Sequence, residues 1–133
     1  MENNLRDLSG FRLTRAKEDF EASKELFENG YFGQSLSRSY YSIFQATRSL
    51  LALERFDSKK HSGVISYFIH NFIKTGKIEK EFGTILTLAE KNRIQSDYHD
   101  FYIASKEDAE TQIENAEKFI NMIQNYIQKI TEK

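Results

Sequence analysis

An arginine and a histidine six positions apart, Arg93 and His99, have residue types suited to chemistry on a phosphate ester. A guanidinium binds phosphate and stabilises the negative charge that develops on it during reaction. An imidazole transfers protons near neutral pH. The two groups suffice for cleaving RNA without a metal. The 2′-hydroxyl attacks the adjacent phosphate once its proton is removed, and the leaving oxygen takes up a proton.

The residues before Arg93 place it on the apolar face of a helix. Phe82, Leu86 and Ala89 precede it at steps of three and four, the spacing of one helical face. A guanidinium is always charged, and leaving it unpaired in an apolar setting is costly, so Arg93 needs a partner. Asp97, one turn further on, is one candidate. The other is a group outside this chain, such as a phosphate or a second subunit.

The spacing leaves two interpretations of Arg93 and His99 open. In an unbroken helix, six residues correspond to about 600° of rotation, so the two side chains would point about 120° apart. They converge only if the helix ends or distorts before His99. One histidine cannot easily serve both proton transfers, whereas a symmetric dimer would bring two copies of each side chain to one cleft. The alternative is an Arg93–Asp97 ion pair beside an exposed His99.

Length and composition favour one cytoplasmic domain. The 133 residues suit a single domain, 1–133, with one core. Cysteine is absent, which excludes a disulfide scaffold and a cysteine-based zinc site or nucleophile. Nineteen basic and twenty acidic residues leave no overall basic field, so we predict no DNA partner. We expect no membrane span and no signal peptide, because no apolar run is long enough and the N-terminus is polar.

The remaining motifs add one candidate anion site. The sequence holds no Gly-rich phosphate loop, no HExxH and no EF-hand spacing, and its three histidines are scattered. We therefore predict neither a metal nor a cofactor. Lys60 and His61 lie at the predicted N-terminus of a helix, where free N–H groups can bind an anion. The alternative for this pair is a solvated first turn.

Helical periodicity covers most of the chain and predicts five helices, at about 6–29, 34–54, 59–74, 78–99 and 106–130. The second has a wide apolar face and is the candidate for the central buried helix. Gly30 and Gly76 are predicted to end the first and third helices, and Ser105 to cap the fifth. Because short loops favour antiparallel neighbours, we predict an all-α, up-and-down antiparallel helical bundle of four long helices plus a shorter one.

Three stretches of the sequence together resemble the HEPN family, in particular its small single-domain bacterial and archaeal members. They are Ser39–Ala46, Lys60–Ile65 and Arg93–Tyr98, and the match spans roughly residues 12–127. The resemblance implies a helical bundle that usually forms a homodimer. It also implies, for many members, a metal-independent endoribonuclease whose Arg-x(4–6)-His motif lies in a cleft between two subunits. Arg93 and His99 fit that spacing, and Asp97 and Tyr98 would orient them.

The resemblance also implies a partner. In many operons such a protein is the toxin paired with a minimal nucleotidyltransferase antitoxin, which in some pairs adds AMP to a tyrosine near the motif. Tyr98 and Tyr102 are the tyrosines that could play this part. The sequence departs from the pattern of active members at Ile94, where a polar residue is usual, and at Phe101, where the modified tyrosine would stand.

Two hypotheses follow. In the first, the protein is an RNase-type toxin in which Arg93 binds the scissile phosphate of an RNA substrate and His99 transfers protons. In the second, it is a non-catalytic module that binds a nucleotidyltransferase partner or a nucleotide through the same cleft.

Overall fold

Five α-helices make up most of residues 3–132, the part of the chain that the computed structural model describes. Met1, Glu2 and Lys133, which the predicted domain also includes, lie outside the described residues. The helices are α1 (Asn3–Glu28), α2 (Phe32–Ala52), α3 (His61–Phe68), α4 (Lys80–Tyr98) and α5 (Lys106–Thr131). All five predicted helices are confirmed, and no β-strand occurs between residues 3 and 132. The all-α bundle, with four long helices and one shorter, is therefore as predicted.

Helix α2 is the centre of the bundle, since it packs against α1, α3, α4 and α5. The apolar face predicted for it is buried throughout, and consists of Leu36, Tyr40, Ile43, Phe44, Thr47, Leu50 and Leu51. Serines are buried on its other sides, and their hydroxyls donate hydrogen bonds to backbone carbonyls. Ser42, for example, donates to the Ser39 carbonyl at 2.7 Å. The small serine side chains let neighbouring helices approach α2 closely.

The helix ends follow the predicted signals. Gly30 has a φ of 82°, a left-handed conformation that suits glycine, and lies two positions after Glu28, the last residue of α1. The Ser105 hydroxyl accepts a hydrogen bond from the Asp108 N–H at 3.0 Å and caps α5, as predicted.

The third helix differs from the prediction of one regular α-helix over 59–74. Helix α3 is eight residues long and runs directly into a π-helical turn, Ile69–Ile73. The wider turn shows in the hydrogen bond from the Lys74 N–H to the Ile69 carbonyl, five residues back, at 2.9 Å. The wide turn lies where Phe68 and Phe72 both enter the core, with ring centroids 5.9 Å apart.

A buried glutamine ties three helices together near the middle of the bundle. Gln112 of α5 donates to the Leu36 carbonyl at 2.7 Å and to the Ser39 hydroxyl at 2.6 Å, both on α2. Its carbonyl oxygen accepts from Asn92 of α4 at 3.0 Å. Since Asn92 precedes Arg93, this network holds the segment of α4 that carries Arg93 against α2.

None of the helices in residues 3–132 is long and apolar enough to cross a membrane.

Candidate functional site

Arg93 lies inside the bundle, on the face of α4 that the spacing predicts. It is 8% exposed, and Phe82, Leu86 and Ala89 are buried along the same face. Arg93 forms no ion pair with any carboxylate of residues 3–132. Its Nε is the one buried side-chain nitrogen or oxygen in that range that lacks a hydrogen-bond partner. The structure therefore holds a buried cation without a counter-ion.

Two tyrosine rings supply the immediate surroundings of the cation. The guanidinium carbon lies 5.0 Å from the centroid of the Tyr40 ring and 5.7 Å from that of Tyr98. A desolvated cation–π contact stabilises by about 2 kcal/mol, and an unsatisfied buried donor costs about 1–3 kcal/mol. The rings therefore offset the cost of burying Arg93 without leaving a clear gain in stability.

Asp97, the carboxylate considered as a partner for Arg93, is engaged elsewhere. It is exposed and accepts a hydrogen bond from the Ser37 hydroxyl of α2. Next to it, the Ser96 hydroxyl donates to the Gly33 carbonyl at 2.9 Å. These two bonds fix the last turn of α4 on the first turns of α2, so Asp97 supports the site by anchoring α4 and not by neutralising Arg93.

His99 lies beyond the end of α4. The helix ends at Tyr98, and His99 has extended backbone angles, φ −109° and ψ 109°. The helix thus stops before His99, as convergence with Arg93 requires. The imidazole is nevertheless exposed and lines a surface cleft of about 480 Å³ together with Tyr98 and Tyr102. Arg93 does not line that cleft, so the two side chains do not share a cavity within one chain.

The two tyrosines considered for modification differ in accessibility. Tyr98 is 69% exposed, and its ring contacts the Arg93 guanidinium. Tyr102 is half-buried, and burial followed by the nearby Asp108 charge raises its pKa. Phe101 and Ile103, at 98% and 89% exposed, stand beside them. The segment after α4 therefore presents an apolar surface beside Tyr98.

The structure brings His61 to the same tyrosine that Arg93 contacts. The Tyr40 hydroxyl lies 2.9 Å from His61 Nδ1, and the Tyr40 side chain is fully buried. The imidazole also stacks on Phe44, with centroids 4.2 Å apart. Burial lowers the pKa of His61, and the positive charges of Arg93 and Arg48 lower it further. Sequence reasoning missed this arrangement, although a tyrosine on an apolar face signals a buried hydroxyl in need of a partner.

Lys60 and His61, the predicted anion-binding pair, do lie at the N-terminus of α3. Lys60 is the N-cap residue and is exposed, and His61 is the first helical residue. His61 lines a surface cleft of about 490 Å³ with five other residues, which are Phe44, Arg48, Asp57, Ser58 and Lys59. Lys60 does not line this cleft, so only His61 of the predicted anion-binding pair does.

Two arginines converge on one carboxylate at the edge of this cleft. Arg12 and Arg48 each place a guanidinium nitrogen 3.1 Å from Asp57 Oδ2. Burial acts to raise the pKa of Asp57, but hydrogen bonds from Arg48 and the Ser58 N–H, with both arginine charges, hold it below its usual value. One carboxylate thus faces two guanidiniums, and with Lys59 the cleft carries a net positive charge.

Within residues 3–132, no group of three or more His, Cys, Asp or Glu side chains is placed to hold a metal ion.

A family model and several relatives in sequence agree on one family. The HEPN domain family model matches residues 9–126. A Methanocaldococcus jannaschii protein named "putative toxin" is 36% identical over 115 residues, which cover 86% of this chain and 85% of that protein. A second protein of that organism with the same description is 31% identical, over 86% of this chain and 78% of its own length. A UPF0332 protein of Thermotoga maritima is 31% identical, over 87% and 88% of the two chains. The chain therefore belongs to the HEPN domain family.

Proposed function

We propose that this protein is a metal-independent endoribonuclease that acts as the toxin of a toxin–antitoxin pair, with a nucleotidyltransferase as its antitoxin. Membership of the HEPN family supports the proposal, and so do the names of the two Methanocaldococcus relatives. The observation that carries it is the state of Arg93. A buried guanidinium whose Nε lacks a partner and which no carboxylate of residues 3–132 neutralises is prepared to receive an anion from outside the chain.

Access to Arg93 requires one side chain to move. Tyr98 is 69% exposed, and its hydroxyl forms no hydrogen bond with the residues that the structure describes. Displacing this ring toward solvent would open a path to the guanidinium and would break one cation–π contact but no hydrogen bond. A phosphate that enters there would satisfy Nε and pair with the charge, so binding would remove the unsatisfied donor.

The roles in cleavage follow from the chemistry of the two side chains. Arg93 binds the scissile phosphate, and His99 takes the proton from the 2′-hydroxyl. The O2′–P bond forms, the P–O5′ bond breaks, and O5′ receives a proton from the second His99 of a dimer, which leaves a 2′,3′-cyclic phosphate and a 5′-hydroxyl. In this proposal the site is composed of two copies, and His99 of one copy serves Arg93 of the other, because the two side chains do not share a cavity within one chain. Asp97 and Tyr98 position the end of α4.

The test is cleavage of a labelled single-stranded RNA in the presence of EDTA, with analysis of the product ends. We expect products that end in a 2′,3′-cyclic phosphate, and no cleavage of the same strand with 2′-O-methyl groups. Arg93→Met and His99→Gln should each abolish cleavage, whereas His70→Gln, a change at an exposed histidine of the π-helical turn, should leave it intact. Full activity in both site variants would show that the assignment is wrong.

The exposed position of His99 favours one alternative function. If this histidine never meets Arg93, the protein is a non-catalytic module that binds a nucleotidyltransferase or a nucleotide, with Arg93 as the anion contact. Under that function the wild-type protein does not cleave RNA. Arg93→Met then weakens binding of AMP or of the nucleotidyltransferase, and His99→Gln changes neither. Titration of each variant with AMP, alongside the cleavage assay, separates the two functions.

A further inference from the structure

We infer that the cleft between the N-terminal half of α2 and the end of α4 binds a guanine base of the RNA strand. Its volume is about 790 Å³. The side chains that line it include two aromatic and three polar ones, which are Tyr41, Tyr102, Gln34, Arg38 and Asp97. The inference rests on the proposed function, because it gives the RNA substrate a base that the protein recognises. It adds a site for the base to the phosphate contact at Arg93, which does not line this cleft.

Two tyrosine rings and a guanidinium line the cleft. Tyr41 is half-buried, and its ring lies edge-on to Tyr40 and His61 with centroids 5.3 Å and 6.0 Å apart, so its orientation is fixed. The guanidinium carbon of Arg38 lies 6.0 Å from the centroid of the Tyr41 ring. Tyr102 is also half-buried. Unpaired RNA bases stack on tyrosine rings and on guanidinium planes, so the cleft has the surfaces that such a base needs.

Several polar atoms of the cleft have no partner among residues 3–132. Asp97 Oδ1 accepts a hydrogen bond from the Ser37 hydroxyl, whereas Asp97 Oδ2 accepts none from that part of the chain. The side-chain amide of Gln34 and the hydroxyl of Tyr102, which line the same cleft, form no hydrogen bond there either. An amide, a phenol and a carboxylate oxygen are therefore left to bind the polar edge of a base.

The charges of the cleft favour a base over a phosphate. Arg38 is the arginine that lines it, and this guanidinium already lies 3.1 Å from Asp19 Oδ1. The carboxylate of Asp97 forms no ion pair within residues 3–132, so it would repel a phosphate. A neutral, planar ligand that donates hydrogen bonds fits this set of groups.

The carboxylate of Asp97 determines which base fits. A carboxylate only accepts hydrogen bonds, and each of its oxygens has two lone pairs, so Oδ1 can accept from a base while it holds Ser37. Guanine presents two adjacent donors, N1–H and the 2-amino group, on its Watson–Crick edge, and one carboxylate can accept both. Adenine and cytosine pair one amino group with an unprotonated ring nitrogen. Uracil flanks its single N–H with two carbonyl oxygens, which the carboxylate repels.

Tyr102 places this cleft next to the proposed proton-transferring residue. Its side chain lines both this cleft and the smaller cleft that His99 lines. A strand whose guanine is bound against Tyr102 therefore lies beside His99, and cleavage should occur next to guanosine.

The experiment measures binding of a 2′-O-methyl RNA oligonucleotide, which lacks the attacking hydroxyl, by fluorescence anisotropy at fixed salt. It is an oligouridine strand made in four versions, with G, A, C or U as the central base. We expect the wild type to bind the G version about tenfold more tightly than the U version, the discrimination of one good two-bond contact. The A and C versions should bind less tightly than the G version.

Asp97→Asn tests the role of the carboxylate. The asparagine carbonyl can still accept from Ser37, but an amino group replaces Oδ2 and meets the donors of guanine. We expect the ratio of the G and U affinities to fall to about one. The matched control Asp7→Asn, at an exposed aspartate of α1, should keep the wild-type ratio. Because a ratio is compared, a general gain in RNA affinity from the lost negative charge cancels.

Three outcomes would overturn the inference. They are equal affinity of the wild type for the G and U versions, a wild type that binds no version, and a guanine preference that persists in folded Asp97→Asn. If Asp97→Asn fails to fold, the wild type decides, since the ¹³C resonance of the Asp97 carboxylate should shift with the G version and not with the U version. The proposed nuclease fails separately. A protein that prefers the G version but never cleaves RNA would sustain this inference and contradict the catalytic proposal, and cleavage without any base preference would do the reverse.

Discussion

The guanidinium carbon of Arg93 lies 5.0 Å from the centroid of the Tyr40 ring, in a part of the core where no carboxylate pairs with the cation. The hydroxyl oxygen of Tyr40 in turn lies 2.9 Å from His61 Nδ1. One buried tyrosine of α2 therefore connects a cation of α4 to a histidine of α3. The proposed function depends on the state of that cation, whose Nε has no hydrogen-bond partner among residues 3–132.

Replacing Arg93 should abolish RNA cleavage while leaving the stability of the fold nearly unchanged. Arg93→Met retains most of the buried length but removes a charge whose unsatisfied Nε costs about 1–3 kcal/mol, and it loses aromatic contacts that contribute about 2 kcal/mol. These effects nearly cancel, so we expect the free energy of unfolding in urea to change by less than about 1 kcal/mol while RNA cleavage is lost. Arg15→Met, at an exposed arginine of α1, is the control for loss of charge. A large loss of stability in Arg93→Met would mean that Arg93 serves the fold.

The contact between Gly33 and Ser96 should behave as a coupled pair. A Cβ added at Gly33 would lie 2.8 Å from the Ser96 hydroxyl oxygen, so Gly33→Ala should destabilise by about 1–3 kcal/mol. Ser96→Ala removes the hydrogen bond to Gly33 and should cost about 1 kcal/mol. Ser96→Ala also removes the clash with the new Cβ. The double variant should therefore lose less stability than the sum of the losses in the two single variants, as measured by a double-mutant cycle of urea unfolding. Additive losses would show that the two residues do not constrain each other.

Gln112 should be the most costly polar residue of α5 to replace. Gln112→Ala removes hydrogen bonds to the Leu36 carbonyl, the Ser39 hydroxyl and Asn92, all in or beside the core. We expect thermal and urea unfolding to show a loss of about 1–3 kcal/mol. Gln128→Ala, at an exposed position on the same helix, should change stability by less than about 0.5 kcal/mol. Equal effects of the two changes would contradict the role given to the network.

The lowered pKa of His61 should make stability depend on pH below neutrality. As pH falls through about 6.5, the unfolded chain protonates this histidine before the folded protein does, so the free energy of unfolding should decrease. The decrease should continue down to the pKa of His61 in the folded state. His61→Gln should have a shallower decrease between pH 7 and pH 5. Asp57 does not interfere, because its stabilising contribution is lost only below its usual pKa of 3.8. If the free energy of unfolding falls equally steeply with pH in the wild type and in His61→Gln, the prediction is wrong.

Much of the fold was predictable because its local signals agree with one another. The steps from Phe82 to Ala89 predict the burial of Arg93, since a helix repeats its face every three to four residues. Gly30 and Ser105 mark helix ends through backbone conformation and capping, both of which depend on neighbouring residues alone.

The rest of the site depends on contacts that sequence spacing does not report. Tyr40 and His61 are 21 positions apart on different helices, and they meet only because α3 packs against α2. The partner of Asp97 is Ser37, 60 positions away, while the ion pair suggested by helical spacing does not form. The π-helical turn at Ile69–Ile73 likewise follows from how the core is filled. Helical periodicity describes one helix at a time, whereas these features belong to pairs of helices.

The most direct test of the central claim observes Arg93 itself during RNA binding. In the free protein its Nε–H has no hydrogen-bond partner among the described residues. On titration with the 2′-O-methyl RNA oligonucleotide, the Arg93 Nε–H resonance in a ¹H–¹⁵N spectrum should move downfield and saturate, as a phosphate accepts its hydrogen bond. The resonance of Arg15, exposed on α1, should move little. If the oligonucleotide binds and the Arg93 Nε–H resonance stays where it was, Arg93 is not the phosphate ligand and the proposed site is wrong.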